Sequence, residues 1–429
     1  MTCIESPRTT CALGGALSLI ASIDRAVPII HAGPGCGTVL NIGQFTSGGY
    51  QYIGYAGGFQ TPSSNMLEKH VVFGGEDRLR EEIRNTLDII DADLYFIVTG
   101  CTSGLIGDNV KAITGEFSGK GKHVIFAETA GFVGNTYKGY DIAYKALIDQ
   151  VTKQSSKKTK KLVNLFGIVA GQNPFWQGDI EEIVRLLGRI GVKVNLSGYK
   201  DTVKQIEDAA KAELNIVLSG NTGVAVADHF EKKFGVPYLK YPLPVGTDTS
   251  NFLRAIASRL GLDESKVEMV VKEEEDKFWE YLVKYSELYA FTLISKDFSI
   301  IGDTTNTIGA AKFLTKDLGL IPNTIILVDD PRDDLRIDIK NEFENLISGL
   351  SPKVVFDGDT GHISNLIADN KTDIVFGSSS DRILAARIGS RLIPFSFPIF
   401  DQVVLSRGYS GYRGAINLAE ELGCRLLAG

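Results

Sequence analysis

Short apolar runs alternate along the chain with glycine-rich turns and with segments whose apolar residues have helical spacing. The first runs are VPIIHA, DLYFIVTG, VNLFGIVAG and NIVLSG, and the last third of the chain continues with FSIIGD, TIILVDDP, KVVFDGD and DIVFGSSS. Repeats of strand, turn and helix are typical of parallel α/β sheets, which bind ligands at the carboxyl ends of their strands. The pattern therefore predicts an α/β fold of three Rossmann-like domains with parallel sheets.

Two interruptions of this pattern divide the chain into three predicted domains. The first is the polar and basic stretch TKQSSKKTKK, residues 152–161, between a helix and the run VNLFGIVAG. The second lies near the charged helix KEEEDKFWEYLVKYSELYAF, whose aromatic stripe at helical spacing indicates core packing. We predict domains over residues 1–155, 156–290 and 291–429.

Charge and composition limit the classes of partner that the protein is expected to bind. The chain has 429 residues, of which 45 are basic and 52 acidic, and it has no long basic tract, so a dedicated nucleic-acid binder is not expected. Its apolar runs are shorter than a membrane span, and its first residues lack the charged and apolar regions of a signal peptide. We expect a globular cytoplasmic protein, off the membrane, with protein or small-molecule partners.

The cysteines are the candidate chemical groups. There are five, an odd number spread over a long chain, which does not indicate a disulfide framework. Cys11 begins CALGGALSLIASI, and one of the two preceding threonines is predicted to cap that helix, whose amino end would favour the thiolate. Cys36 and Cys101 each follow a predicted strand, so all three thiols are expected in one crevice. Buried structural cysteines and ligands of a metal cluster both remain possible for them.

The stretch HAGPGCG, residues 31–37, places Cys36 among glycines and a proline. Glycine permits positive φ and close approach of the backbone to a bound group, and proline fixes the turn. We expect a loop that wraps a metal cluster or an anion. The five histidines show no ligand pairing at helical spacing and are interpreted as structural.

Several long motifs, spread over nearly the whole chain, resemble those of one known protein family. They include CALGGALSLIASIDRAVPIIHAGPGCG, SSNMLEKHVVFGGEDRLREEI, VTGCTSGLIGDNV, FAETAGFVGNTYKGYD and SFPIFDQVVLSRGYSGYRGAINL. Together they resemble the nitrogenase component 1 family, and more narrowly its β-type subunits. The resemblance implies a three-domain oxidoreductase subunit that pairs with a homologous α-type chain, in an α2β2 heterotetramer, and shares an iron–sulfur cluster with it.

The resemblance also implies roles for individual residues. Cys11, Cys36 and Cys101 match the β-side cluster cysteines, and the neighbouring glycines would let the backbone approach the sulfides: Gly35, Gly37, Gly100 and Gly131. In nitrogenases the cluster is the eight-iron P-cluster (8Fe-7S), which passes electrons from an ATP-hydrolysing iron protein to the cofactor in the α chain. Phe73, in VVFGG, matches an exposed aromatic residue where that reductase docks. Packing of Phe73 in the core is the alternative.

Two departures from the β-type pattern, and the lack of the mid-chain cysteine that α-type subunits have, bear on the cluster and the reaction. Many P-cluster subunits have a serine that ligates iron where this chain has Gly131, which leaves an altered P-cluster or a simpler four-iron cluster (4Fe-4S). The chain also lacks the N-terminal extension of the molybdenum enzyme's β chain, which favours the alternative or nitrogenase-like branches. There is no cysteine between Cys101 and Cys424, so we expect the substrate-reducing cofactor to be held by the partner and assign no catalytic residue here.

The expected function is thus electron relay in a nitrogenase or nitrogenase-like reductase. Three alternatives remain open at this point. The chain could be a scaffold on which a cofactor is assembled, a subunit of a reductase of methylthio compounds or of a tetrapyrrole, or an α/β binding module that holds no cluster. The roles of the two cysteines near the termini, Cys3 and Cys424, are not assigned.

Overall fold

The computed structural model describes residues 4–51, 53–55, 61–119, 121–344, 346 and 351–428, and in these ranges the strands form three sheets. Every strand pair in them is parallel. The predicted α/β class with parallel sheets is confirmed. Each sheet lies inside one of the three predicted domain ranges, and the domain boundaries themselves stay a prediction.

The first sheet has the order β1-β2-β3 and holds the candidate site at its carboxyl edge. Its strands are β1 (Ala26–His31), β2 (Leu94–Thr99) and β3 (His123–Ala127). Its helices are α1 (Ala12–Ala21), α2 (Pro34–Ser47), α3 (Glu68–Phe73), α4 (Glu76–Ile89), α5 (Cys101–Ile106), α6 (Val110–Phe117) and α7 (Thr136–Val151). All six residues of β2 are buried because helices cover both faces of the sheet, which explains why its sequence is a continuous apolar run.

The second sheet has the order β5-β4-β6-β7. Its strands are β4 (Leu162–Phe166), β5 (Lys193–Leu196), β6 (Leu214–Val217) and β7 (Tyr238–Lys240). The helices of this part of the chain are α8 (Trp176–Arg189), α9 (Val203–Glu207), α10 (Val224–Phe234), α11 (Asp248–Leu260), α12 (Glu264–Val283) and α13 (Ser286–Leu288).

The third sheet has the order β10-β9-β8-β11-β12. Its strands are β8 (Asp297–Gly302), β9 (Ile321–Leu327), β10 (Lys353–Phe356), β11 (Ile374–Gly377) and β12 (Arg391–Pro394). The last helices are α14 (Thr307–Lys312), α15 (Asp333–Glu344), α16 (Thr360–Asp369), α17 (Arg382–Ile388) and α18 (Gly411–Leu427). Within the described ranges, no helix is long and apolar enough to cross a membrane.

One hydrophobic core extends through all three sheets. It contains Val98 of β2, Leu165 of β4 and Ile300 of β8, and all three are buried. Helix α18 packs on the middle part of the chain rather than on the third sheet alone, since the Tyr285 hydroxyl donates to the Ala419 carbonyl over 2.8 Å. The three sheets are therefore held in fixed relation to one another.

The segment before α1 is anchored on the third sheet. The buried Arg8 guanidinium forms an ion pair with Asp381, with nitrogen and oxygen 2.7 Å apart. The amides of Glu5 and Ser6 donate to Asp359 Oδ2 over 2.7 and 2.9 Å. This anchor fixes the chain three residues before Cys11.

Candidate functional site

Cys11 is the residue immediately before α1, and it is held by the start of α7. It forms an isolated antiparallel bridge with Asn135. The Thr136 amide donates to the Thr10 carbonyl, and the Ala12 amide donates to the Gly134 carbonyl, each over 2.9 Å. The prediction of a threonine cap with the thiol in the first turn is wrong, because Cys11 is itself the N-cap and the Thr10 hydroxyl lies 2.6 Å from Thr136 Oγ1 instead.

Cys36 lies in the first turn of α2. Pro34 is the first residue of that helix and Gly33 is its N-cap. The predicted wrapping loop is wrong, because proline at the first helical position has a suitable φ and an amide nitrogen that needs no partner there. Gly35 and Gly37 are helical rather than left-handed, and a Cβ built on Gly35 would meet open space among the described residues.

Cys101 is the first residue of α5, directly after β2. The end of β1 holds this helix: the carbonyl of His31 accepts hydrogen bonds from the Gly100 amide over 3.0 Å and from Ser103 Oγ over 2.6 Å. Because β1 and β2 are adjacent parallel strands, their carboxyl ends bring Cys36 and Cys101 to the same edge of the sheet.

Two glycines leave the space in which the three thiols meet. A Cβ built on Gly131 would lie 2.9 Å from Cys101 Sγ and 3.3 Å from Cys11 Sγ. A Cβ built on Gly100 would lie 3.7 Å from Cys36 Sγ. Gly131 and Gly100 thus border the thiols, whereas a Cβ on Gly37 would face Ile30 at 3.7 Å.

The thiols are free, and the site is open on one side. Cys11 and Cys36 are half-buried, and Cys101 is exposed. Burial raises the pKa of the Cys36 thiol, and the neighbouring Cys11 and Cys101 thiols raise it further. A coordinated metal cation would offset this shift, because it stabilises the thiolate form of Cys36.

The donor set suits a multi-atom metal group. Among the described residues, no set of three or more His, Cys, Asp or Glu is close enough to hold a single metal ion. Three thiols that converge on a glycine-lined opening instead match the sulfur ligands of an iron–sulfur cluster, which bind different irons of one larger group. The fit is incomplete within this chain, because such clusters take at least about four cysteine ligands.

An apolar rim surrounds the open side. Leu105 on α5 is 76% exposed, and Phe132 and Val133, next to Gly131, are 60% and 41% exposed. Exposed apolar groups clustered around a polar centre are typical of a protein–protein interface.

Phe73 lies at the end of α3 and is 87% exposed, so the core-packing alternative is wrong. Val72 beside it is 72% exposed, and every residue of α3 is at least partly exposed. An open cleft of about 640 Å³ adjoins Phe73 and is also lined by Leu67, His70 and Arg78. The surface around Phe73 therefore presents apolar groups to solvent without a partner from the described part of the chain.

A buried hydrogen-bond network lies between Phe73 and the thiols, and sequence reasoning missed it. His31 Nδ1 lies 2.9 Å from Ser64 Oγ, and His31 Nε2 lies 2.9 Å from Asp108 Oδ2. Burial lowers the pKa of His31, and Asp108 opposes that shift. The available signal was a histidine at the last position of an apolar strand, directly before the cysteine-containing turn.

Comparisons with known proteins match nearly the whole chain to one protein family. The family described as Nitrogenase component 1 type Oxidoreductase matches residues 11–426. The nitrogenase molybdenum-iron protein beta chain of Methanococcus maripaludis is 26% identical, with 98% of this chain and 93% of that protein covered.

A second relative has a different role. The nitrogenase iron-molybdenum cofactor biosynthesis protein NifE of Methanococcus maripaludis is 27% identical, with 96% of this chain and 82% of that protein covered. A solved structure of nitrogenase Cp1 at pH 6.5 superposes with a TM-score of 0.86, covers 100% of this chain and 94% of that one, and is 21% identical. At this identity the superposition establishes the fold.

Proposed function

Because this chain belongs to the nitrogenase component 1 type oxidoreductase family, we propose that it is a β-type subunit that relays electrons from an ATP-dependent iron protein to a cofactor in an α-type partner. The observation that supports this most directly is the convergence of three thiols at the carboxyl edge of the first sheet, with Cys11 and Cys101 beside Gly131 and Cys36 beside Gly100. The similarity to a nitrogenase beta chain over 98% of the chain supports the same assignment.

Cys11, Cys36 and Cys101 would hold the β side of an iron–sulfur cluster, which supplies one-electron transfer when bound. The partner chain would supply the remaining ligands. Gly131 offers no side-chain oxygen, so the cluster would be an altered P-cluster (8Fe-7S) or a 4Fe-4S cluster with thiolate ligands from this chain. Gly100 and Gly131 leave room for it, and the N-cap position of Cys11 and the first-turn positions of Cys36 and Cys101 aim helix amino ends at its negative charge.

The two exposed apolar surfaces would serve different partners. The rim formed by Leu105, Phe132 and Val133 would be covered by the α-type chain, which excludes water from the thiols. Phe73 would anchor the reductase, since a protruding aromatic side chain is a common centre of a docking surface. An α2β2 heterotetramer in the cytoplasm, active in nitrogen fixation or a related reduction, is the assembly we propose.

The similarity to a cofactor biosynthesis protein at 27% identity favours one second candidate, a scaffold on which a cofactor is assembled. A scaffold and a reductase subunit would share the cysteine site. They differ in turnover, because a scaffold holds cofactor without reducing substrate at a useful rate.

The test is the iron and acid-labile sulfide content of the chain purified anaerobically with its α-type partner, together with electron paramagnetic resonance of the reduced and oxidised states. Beyond iron held in the α chain, about eight irons per αβ pair would indicate a P-cluster and about four a simpler cluster. Replacing Cys11, Cys36 and Cys101 with alanine should remove this iron, and the exposed Cys424→Ala control should keep it. Iron content unchanged in the triple variant would contradict the proposal.

A second measurement separates the two candidates. The loaded complex is mixed with an ATP-hydrolysing iron protein, ATP and a low-potential reductant, and dinitrogen, methylthio compounds and tetrapyrroles are tested in turn. Reduction of any one of them supports the relay function and names the substrate. A complex that holds cofactor and reduces none of them supports the scaffold.

A further inference from the structure

The surface around Phe73 and the thiol site are joined by a continuous path of hydrogen bonds. The Gly75 amide, at the start of α4, donates to Asp108 Oδ1 over 3.0 Å. Asp108 Oδ2 lies 2.9 Å from His31 Nε2. The His31 carbonyl accepts from the Gly100 amide, one residue before Cys101. Two side chains thus connect the segment that ends in Phe73 with the helix that begins at Cys101.

The path is buried and tightly packed. The side chain of His31 is 0% exposed and that of Asp108 is 4% exposed. A Cβ built on Gly75 would lie 2.7 Å from Asp108 Oδ2 and 3.0 Å from His31 Cε1. The absence of a side chain at Gly75 therefore permits the backbone to approach both groups, and a shift of this segment would press on them directly.

The position of Phe73 depends on this contact. Helix α3 lacks buried residues of its own, and Gly74, with φ of 92°, separates it from α4 in a conformation that favours glycine. Helix α3 contacts α5 without burying any of its own residues, so its end is also held by the segments on either side of it. The Gly75 amide bond to Asp108 is the first anchor after Phe73, and the Met66 amide, which donates to the Ala32 carbonyl over 2.9 Å, is the last one before α3.

We propose, building on the function proposed above, that His31 and Asp108 are positioning residues that couple docking at Phe73 to the start of α5, where Cys101 lies. A partner that presses on Phe73 moves Gly75 against Asp108. Asp108 transmits the displacement to His31, and the His31 carbonyl transmits it to the Gly100 amide. Because such coupling is reciprocal, the state of the thiol site also changes the affinity of the docking surface.

The test measures amide hydrogen exchange at Gly75 and Gly100 in the anaerobic αβ complex, alone and with the iron protein held by a non-hydrolysable ATP analogue. In the wild type we expect docking to slow exchange at both amides, by about fivefold or more at Gly100. Asp108→Ala removes both acceptor oxygens, and Asp108→Leu fills the volume without accepting a hydrogen bond. In both variants docking should slow amide exchange near Phe73 and leave the exchange rate of the Gly100 amide unchanged.

Two further variants separate coupling from general loss of structure. Asp108→Asn keeps an acceptor for the Gly75 amide and a polar group for His31, so it should restore the effect at Gly100. Asp149→Ala removes the carboxylate of another histidine–aspartate contact, with Asp149 Oδ1 2.8 Å from His229 Nε2 and remote from Phe73, and it should behave as the wild type.

Each outcome decides the proposal. An effect at Gly100 that persists in Asp108→Ala and Asp108→Leu would overturn it, as would an equal loss in Asp149→Ala. A wild-type complex that binds the iron protein without slower exchange at Gly100 would overturn the coupling and leave the relay function standing. A wild-type complex that does not bind the iron protein would overturn the docking role of Phe73 and this inference with it.

Discussion

At the scale of single residues, the candidate site depends on where side chains are missing as much as on the thiols. Gly131 is the clearest case, because a Cβ there would lie within 3.3 Å of two cysteine sulfurs. Only about 3.4 Å or more is an ordinary contact between such atoms, so any side chain would displace the thiols. The missing side chain at Gly131 therefore leaves the space that the Cys11 and Cys101 thiols occupy.

Gly131→Ala should lower the iron content of the anaerobic αβ complex, because the added methyl group would press Cys101 and Cys11 apart. Such overpacking costs about 1–3 kcal/mol of unfolding free energy. Iron analysis and urea denaturation measure the two effects. Gly115→Ala in α6 is the control, since a Cβ there meets open space among the described residues: its iron content should match wild type and its stability should be unchanged or rise by up to about 1 kcal/mol. A Gly131→Ala complex that binds as much iron as the wild type would show that the thiols can shift without losing the iron.

Phe73→Ala should weaken binding of the iron protein by about 2 kcal/mol and leave stability within about 0.5 kcal/mol of wild type, because its side chain is 87% exposed. The binding constant and the thermal midpoint measure this contrast. Ile89→Ala, at an 81% exposed apolar position on α4, provides the matched control and should bind as wild type does. Equal loss of binding in both variants would indicate a nonspecific apolar contact.

At the scale of elements, α1 and α7 cross with their backbones in contact, and this crossing fixes Cys11. A Cβ on Gly15 would lie 1.8 Å from the Thr136 carbonyl oxygen, and one on Gly139 would lie 1.9 Å from that of Ala12. Small residues on both helices are needed for this approach. The sequence shows the glycines, but it does not show that they face each other across more than a hundred residues.

Gly139→Ala should destabilise the chain by about 3 kcal/mol or more, because a methyl group cannot fit against the Ala12 carbonyl without separating the helices. It should also lower iron content, since α1 would carry Cys11 away from Cys101. Gly188→Ala in α8 adds the same methyl group where the described residues leave space, so stability should be unchanged or rise by up to about 1 kcal/mol. Wild-type stability in Gly139→Ala would contradict the close crossing.

The strands could be predicted from the sequence because parallel strands buried on both faces are continuous apolar runs. The convergence of Cys36 and Cys101 could be predicted because the ends of parallel strands share an edge, whereas the place of Cys11 is set by the contact of α1 with α7. The helical start at Pro34 was missed because glycine and proline are common both in loops that wrap a bound group and in the first turn of a helix. The network of His31 and Asp108 was missed because a buried histidine has no local pattern that names its partner.

At the scale of the whole molecule, the three sheets meet at a buried acidic junction. Tyr137 of α7 donates to Asp303 Oδ2 over 3.1 Å, and Asn221, after β6, donates to Asp329 Oδ2 over 3.4 Å. Asp303 and Asp329 follow neighbouring strands of the third sheet. Burial, together with the charge of the nearby Asp303, raises the pKa of Asp329 to about 7. The contact between the sheets is therefore sensitive to pH near neutrality.

The pKa of an aspartate in an unfolded chain is about 3.9, so the folded state holds the Asp329 proton more tightly. The stability that this group contributes is full below about pH 4 and is lost as pH rises through about 7. Asp329→Asn removes the titration, so the thermal midpoint of the wild type relative to this variant should fall between pH 5 and about 8. The exposed Asp333→Asn control should follow the wild type at every pH. If the difference in thermal midpoint between wild type and Asp329→Asn were constant across this range, a group other than Asp329 would be responsible for any pH sensitivity of the junction.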